Sequence, residues 1–327
     1  MNMIEPASFI TEKLRGKLRC NVAMCRHTSW RAGGYAERVY QPADLADLIV
    51  FLRTLPADEL VVAVGLGSNL LVRDGGLRGT VLLLHAALTE MSIEANGWIY
   101  VQAGVSGAKL ARFAAKHNLK GAEFFAGIPG TLGGMMAMNA GCYGNETWNV
   151  VANAQTIMRS GKLLEREPDD YEIGYRHVVL RKKDKCIEHD YDHAPDSLPF
   201  NPEEFFVGAR LHLPTGEGDI ARREIKSLLS KRIASQPLNL PNAGSVFRNP
   251  PSDYAARLIE QCGLKNLQIG GARVSEKHSN FIVNVGGATA EDIENLINKV
   301  QASVQHKTGT CLHPEVRIIG EYANTHE

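Results

Sequence analysis

The chain has 327 residues, balances 36 Lys and Arg against 36 Asp and Glu for a formal net charge of zero, and is 44% hydrophobic. That length exceeds what one hydrophobic core ordinarily serves and predicts two or three packed units. The charge balance excludes a non-specific nucleic-acid binder, which needs surplus cations to displace counterions, and the composition excludes a disordered chain. Its one skew is glycine, with 31 residues.

The opening segment MNMIEPASFITEKLRGK has no apolar run behind a basic start, so it does not read as a secretory signal. No apolar run approaches the ~18 residues of a membrane span. Cys20, Cys25, Cys142, Cys186, Cys262 and Cys311 are scattered, and Cys20 and Cys25 lack the second pair a zinc site needs. They read as free thiols in a reducing cytoplasm.

Leu45, Leu48, Ile49 and Leu52 share one helical face between Pro42 and Pro56. The buried-strand pattern Leu60–Val64 feeds the turn Gly65-Leu66-Gly67-Ser68-Asn69. Asn96-Gly97 and Ser160-Gly161 mark two hairpins. Between them, Ser106 caps a helix carrying Leu110, Phe113 and Ala114, and the stretch from Gly121 to Gly144 holds seven glycines. The polar segment 181–204 reads as a surface loop, and the strand FFVGARLHL ends at Pro214-Thr215-Gly216. A boundary is therefore placed near 215. A helix from Asp219 follows, with Ile225, Leu228, Leu229 and Ile233 on one face. Gly244 to Pro250 reads as a short strand stopped by proline. Thr289 caps a helix that ends at Gly309, and LHPEVRIIG is the last strand. Helices and strands mix throughout, as α/β or α+β proteins do.

Glycine lets backbone N–H groups converge on an anion with no Cβ in the way. A Gly-x-Gly-Ser-Asn turn after a strand, faced by a second loop with Thr131 and Asn139, suits a dinucleotide; tight turns are the competing reading. No Gly-Lys-Ser/Thr follows either cluster, so neither is a P-loop. The Rossmann fingerprint fails at Leu70. The literal match Gly216 to Ala221 would set Glu217 and Asp219 against a pyrophosphate, and is rejected.

In the last third, alternation puts Ser245 with Asn249 on one face, and Glu315 with Arg317 on one face of the final strand. The second pair is either a surface ion pair or the lining of a cleft. Arg176 is equally open, and His278 reads as structural. Composition and spacing alone lead to a cytosolic α/β protein that binds a dinucleotide.

Seven motifs in order carry a resemblance: Thr28 to Gly34, Gly65 to Gly76, Gly127 to Gly144, Gly174-Tyr175-Arg176, Asn242 to Pro250, Glu276 to Asn284 and His313 to Gly320. Together, over roughly residues 21–320, they resemble the UDP-N-acetylenolpyruvoylglucosamine reductase family. The resemblance implies an α+β protein: an FAD-binding domain of the vanillyl-alcohol-oxidase (PCMH) type over 1–215, in two subdomains split near 80–95. A smaller α/β C-terminal substrate domain would cover 216–327. It implies a cytoplasmic enzyme of peptidoglycan precursor synthesis in which NADPH reduces the FAD and leaves. UDP-N-acetylglucosamine enolpyruvate then enters the same site and is reduced to UDP-N-acetylmuramate.

The resemblance assigns Gly65, Leu66, Gly67, Ser68, Asn69, Leu70, Gly127, Ile128, Pro129, Gly130, Thr131, Gly133, Gly134, Asn139, Ala140 and Gly141 to FAD. Arg176 matches the arginine that stabilises enolate charge, Glu315 the acid beside it, and Ser245 the proton donor to carbon. Tyr143, Arg232, Asn249 and Arg317 are assigned to substrate, and no metal, nucleic acid, membrane or obligate protein partner is implied. No tyrosine lies between Leu213 and Asn249, so the chain resembles the shorter subtype without a tyrosine lid loop. The segment 181–204 looks longer than usual, and His177-Val178 departs from the customary polar step. The alternatives are an alcohol or lactone oxidase of the same flavin fold, or a non-catalytic FAD carrier.

Overall fold

In a computed structural model, residues 13–181 and 203–323 are described; most of the expected 181–204 loop lies outside them. The first unit runs through β1 (Lys17–Ala23), β2 (Tyr35–Gln41), α1 (Leu45–Thr54), β3 (Val61–Val64), β4 (Leu70–Val72) and β5 (Leu77–Leu83). Its sheet has the order β1-β2-β5-β3, with β2, β5 and β3 parallel and β1 antiparallel to β2. Asp44 caps α1 by accepting from the Asp47 N–H at 2.9 Å, and the helix buries Leu48, Phe51 and Leu52. Strand β4 stays out of this sheet.

The second unit contains β6 (Met91–Ile93), β7 (Ile99–Gln102), α2 (Gly107–Lys116), α3 (Leu132–Ala137), β8 (Gly141–Cys142) and β9 (Asn145–Glu146). It continues with β10 (Val151–Met158), β11 (Leu163–Arg166), β12 (Tyr171–Gly174), β13 (His177–Leu180) and β14 (Glu204–Leu211). Five of these strands form an antiparallel sheet of order β11-β10-β14-β7-β6. Both expected hairpins are present; Gly97 and Gly161 turn them with φ of 84° and 77°, which a side chain would strain. The next helix, α4 (Gly218–Ser235), follows the expected boundary at 215 yet packs on this second unit. Its Ala221 and Ile225 share a core with Leu110, Phe125 and Leu211. Ile233 departs from the expected apolar face: it is 62% exposed, because the last turn of α4 runs past that core.

The last unit is α5 (Ala255–Gln261), β15 (Gln268–Ile269), β16 (Ala272–Val274), β17 (Ile282–Asn284), α6 (Ala290–Thr308) and β18 (Arg317–Ile319). Helix α6 opens with a Thr289–Asp292 capping box and closes on Gly309 at φ 74°, as its sequence predicts. Two expected strands come out shorter or irregular. Gly244–Pro250 forms no strand and bridges only at Phe247 to Pro314, because the Val246 N–H that would continue the pairing with Glu315 donates to the Asn280 carbonyl instead. The final strand begins at Arg317, so Glu315 precedes it. Among the described residues no helix is long and apolar enough to cross a membrane.

The last unit is sewn to the first. Trp30 is fully buried in its core, donates from Nε1 to the Ile282 carbonyl at 2.8 Å, and accepts at its own carbonyl from Asn284 at 2.9 Å. Arg73, just past β4, pairs with Glu294 of α6 at 2.8 Å and lies 4.1 Å from the Tyr322 ring centroid. Asp74 accepts from the Ala290 and Glu291 N–H groups at the start of α6. Because both partners of the ion pair are largely buried, Arg73→Met should leave Glu294 as an uncompensated carboxylate and cost about 3 kcal/mol. A urea unfolding curve measured on the purified variant checks this.

Candidate active site

The two glycine clusters meet. A Cβ on Gly65 would collide with Thr131 Oγ1 of the second cluster, and one on Gly130 would lie 3.8 Å from Ser68 Oγ of the first. Gly67 adopts φ 61°, and a Cβ there would strike the His27 carbonyl. Gly65 and Gly67 need glycine for close approach, which is what a backbone cradle for phosphates requires, while a Cβ on Gly130 would make only ordinary contact. No charged side chain lies in Gly65–Leu70 or in Gly127–Gly134.

Both turns line one cavity of about 830 Å³, within the usual ~300–1,000 Å³ range for cofactor pockets. Ser245, Arg176, Glu315, Arg317 and Arg232 line the same cavity, from four separate stretches of chain. Three of the expected residues do not. Asn139 is buried behind the wall, donating to Glu146 at 2.7 Å and accepting from Trp148 N–H at 3.2 Å. Tyr143 is 43% exposed and donates to the Leu228 carbonyl of α4 at 3.0 Å. Asn249 is exposed and accepts from the Ala255 N–H at 3.1 Å, fixing the start of α5; the expected face shared with Ser245 is lost because the segment is not a regular strand.

Arg176 sits in the two-residue turn between β12 and β13 at φ 56°, a conformation unusual for a non-glycine residue and frequent at functional sites. Its Nε donates to Glu315 Oε1 at 2.5 Å, and its terminal nitrogens reach the Asn139 and Gly141 carbonyls at 3.3 and 3.4 Å. The guanidinium is thus held by groups from the glycine loop and from the far C-terminus. Burial pushes the Glu315 carboxyl above its ordinary range, against the opposing pull of Arg176. Burial likewise lowers Arg317 and Arg232. The Ser245 hydroxyl makes no hydrogen bond among the described residues, while its neighbour Val246 is tied on both sides: its N–H to Asn280 O at 2.9 Å and its carbonyl to Glu315 N–H at 2.7 Å.

Several lining groups carried no sequence signal. Val62, Val64, Leu84 and Ala103 supply apolar wall from strands and joints that read simply as core. Arg166 and Glu204 form an ion pair at 2.6 Å in the wall, with Thr156 donating to the same carboxylate at 2.8 Å. Their separation of 38 residues hides the pair from any local pattern. A smaller polar cavity of about 260 Å³ adjoins, sharing Ser68, Pro129, Arg232 and Gly244. Among the described residues no cluster of His, Cys, Asp or Glu suits a metal ion. His278 is part of a local turn, its Nδ1 accepting from the Asn280 N–H at 3.3 Å.

Comparison with known proteins gives a family for this geometry. Residues 36–166 match the model of an FAD binding domain, and 236–319 match that of the UDP-N-acetylenolpyruvoylglucosamine reductase C-terminal domain. Proteins named UDP-N-acetylenolpyruvoylglucosamine reductase are 53% identical in Thiobacillus denitrificans, covering 98% of each chain, and 57% identical in Nitrosospira multiformis, covering 94% of this chain and 90% of that one. The crystal structure of the Thermus caldophilus UDP-N-acetylenolpyruvylglucosamine reductase superposes with a TM-score of 0.75 at 27% identity, over 93% of this chain and 99% of that one. The expected α+β class and flavin-binding architecture agree with these matches. The cradle predicts that Gly65→Val, which drives a branched side chain into Thr131, yields protein retaining at most roughly a tenth of the wild-type flavin, a loss of ~1.4 kcal/mol or more in affinity. The flavin-to-protein absorbance ratio of purified protein measures it.

Proposed function

The chain belongs to the UDP-N-acetylenolpyruvoylglucosamine reductase family, and on that premise we propose that Arg176, Ser245 and Glu315 carry its chemistry. The reaction is the FAD- and NADPH-dependent reduction of UDP-N-acetylglucosamine enolpyruvate to UDP-N-acetylmuramate. One alkene takes up two electrons and two hydrogens while NADPH becomes NADP⁺. FAD, when bound in the cradle of Gly65–Leu70 and Gly127–Gly134, supplies the two-electron transfer between the two ligands.

The remaining work falls to side chains. Adding a reducing pair to an alkene conjugated with a carboxylate builds negative charge on that carboxylate. Arg176, fixed on three sides in a low-dielectric wall, meets this charge without reorganising. Glu315 holds the guanidinium in plane. Ser245 then gives its hydroxyl proton to the remaining carbon and is reprotonated from solvent. Arg317 and Arg232 are the groups we assign to the substrate's other anionic oxygens. We assign Asn249 and Tyr143 to anchoring the elements that frame the site. The observation that carries the assignment is the Arg176–Glu315 contact at 2.5 Å in the wall that also holds Ser245 and both glycine turns.

An oxidase with flavin joined to a cysteine has little support: Cys142 lines the cavity, but burial pushes its thiol up to about 11, so it stays protonated at neutral pH. The free thiols of Cys20, Cys25, Cys142, Cys262 and Cys311 support a cytoplasmic setting. The division we favour is an FAD-binding region to residue 215 and a substrate-completing region after it, with α4 bridging the two.

Ser245→Ala should leave reduction of the flavin by NADPH intact in stopped flow, while turnover falls by about 10²–10³-fold; full turnover in this variant would remove the serine from the mechanism. The Glu315 carboxylate must be ionised to hold Arg176, and its folded pKa is raised, so kcat/KM should fall as pH drops through a value above the ordinary ~4.3 of a glutamate. Glu315→Gln should abolish that acid limb in a pH–rate profile.

A further inference from the structure

Arg248 is absent from the cavity wall yet surrounds the residues that form it. Its backbone N–H donates to the His313 carbonyl at 2.9 Å, two residues before Glu315. Its Nη2 donates to the backbone carbonyl of Arg176 at 3.5 Å, bracing the residue that occupies the left-handed turn. Its Nε is buried and has no hydrogen-bond partner among the described residues. A half-buried guanidinium with an unmet donor is costly, and such groups are retained where they do something other than stabilise the fold.

Charge gives the reason. Two guanidiniums, Arg176 from the β12–β13 turn and Arg248 from the Gly244–Pro250 segment, act on one carboxylate, Glu315, and Arg248 also acts on a third guanidinium, Arg317 of β18, which lines the same cavity. With Arg176 and Glu315 alone the local charge would cancel, leaving nothing to attract a substrate carboxylate. Arg248 and Arg317 keep the cluster positive with Glu315 ionised. Arg248 also opposes the protonation that burial imposes on Glu315, and it acts on Arg317 in the same way that one cation acts on another.

We propose that Arg248 is a positioning residue: from behind the wall it braces the Arg176 turn through its carbonyl and sets a cation beside the Glu315 segment, so that Arg176 stays aimed at the substrate carboxylate. This rests on the assignment of Arg176 and Glu315 given above. Arg248 touches neither substrate nor cofactor, so its effect is read through theirs.

The test compares wild-type holoenzyme with Arg248→Met, Arg248→Gln and Arg248→Lys. In the two neutral variants kcat/KM should fall by roughly 10–100-fold, about 1.4–2.7 kcal/mol, with the acid limb displaced to higher pH. Arg248→Lys, which restores the charge, should bring the limb back towards the wild-type position. An infrared titration of the protonated carboxyl band, identified by its loss in Glu315→Gln, should show the same displacement without any turnover. Arg248→Gln serves if Arg248→Met does not retain flavin. A limb and an infrared midpoint that stay in place in the neutral variants would overturn the proposal, whatever their rates. So would an equal displacement in Arg248→Lys. Wild-type protein that fails to oxidise NADPH with the UDP-sugar would instead sink the proposed reaction, and the infrared titration would still decide the part played by Arg248.

Discussion

The parallel pairing of β4 with β18, Leu70 against Arg317, is the contact on which the site depends. It joins two stretches almost at opposite ends of the chain, and Asn69 reinforces it from both sides. The Asn69 side chain donates to the Glu315 carbonyl at 3.0 Å, and its own carbonyl accepts from Arg317 N–H at 3.0 Å. One residue of the glycine turn thus sets the height of Arg317, which opens the C-terminal strand, and of Glu315 just before it. Strand β4 can do this only because it is left out of the first sheet, where β5 pairs with β2 and β3 instead. The Trp30, Arg73 and Asp74 contacts then keep the two short strands from sliding, since three residue pairs alone are too few to hold a register.

A neutral chain can still bind anionic ligands, because the site separates its two kinds of anion recognition. The glycine turns line the cavity with backbone and uncharged side chains, which leave the protein's charge balance untouched. At the Glu315 end the cavity carries the guanidiniums of Arg176 and Arg317, and under the proposed mechanism preorganised donors are worth most there, where charge develops. Arg176 illustrates the cost. Its left-handed backbone and its three fixed partners give up conformational freedom so that nothing has to move when the charge appears.

Local rules made much of this legible. The helix faces of α1 and α2, the Thr289 cap of α6 and the two hairpin turns followed from periodicity, Thr289, Asn96-Gly97 and Ser160-Gly161. Ser106, by contrast, stands at the start of α2 without a side-chain capping bond, and the Asp44 cap of α1 was not read. The glycine clusters were visible because close approach demands a residue type. What stayed hidden depended on distance along the chain. Nothing near Arg166 announces Glu204, and the apolar lining by Val62 and Val64 is spelled like any buried strand. Alternation misled at Asn249, because it presumes a ladder and the Val246 N–H goes to Asn280 rather than to the opposite strand. Arg248 went unread for the opposite reason: a single arginine beside a proline carries no pattern, and its meaning lies wholly in what Arg176 and Glu315 bring to it.

The serine shows why those long-range contacts matter more than the residue itself. A free serine hydroxyl is far too weak an acid to protonate carbon at neutral pH unless its proton is aimed and its conjugate base is received. The flanking bonds fix the serine's backbone: Asn280 holds Val246 with its carbonyl and Phe247 with its side chain from one side, and the His313 carbonyl and Glu315 N–H hold Arg248 and Val246 from the other. Ser245 is left with no internal hydrogen bond to break before it acts. The same strip of backbone bonds ties the serine to Glu315, and Glu315 to Arg176. The residues proposed as proton donor and charge stabiliser therefore share one set of bonds, and a displacement of the last unit would move both at once.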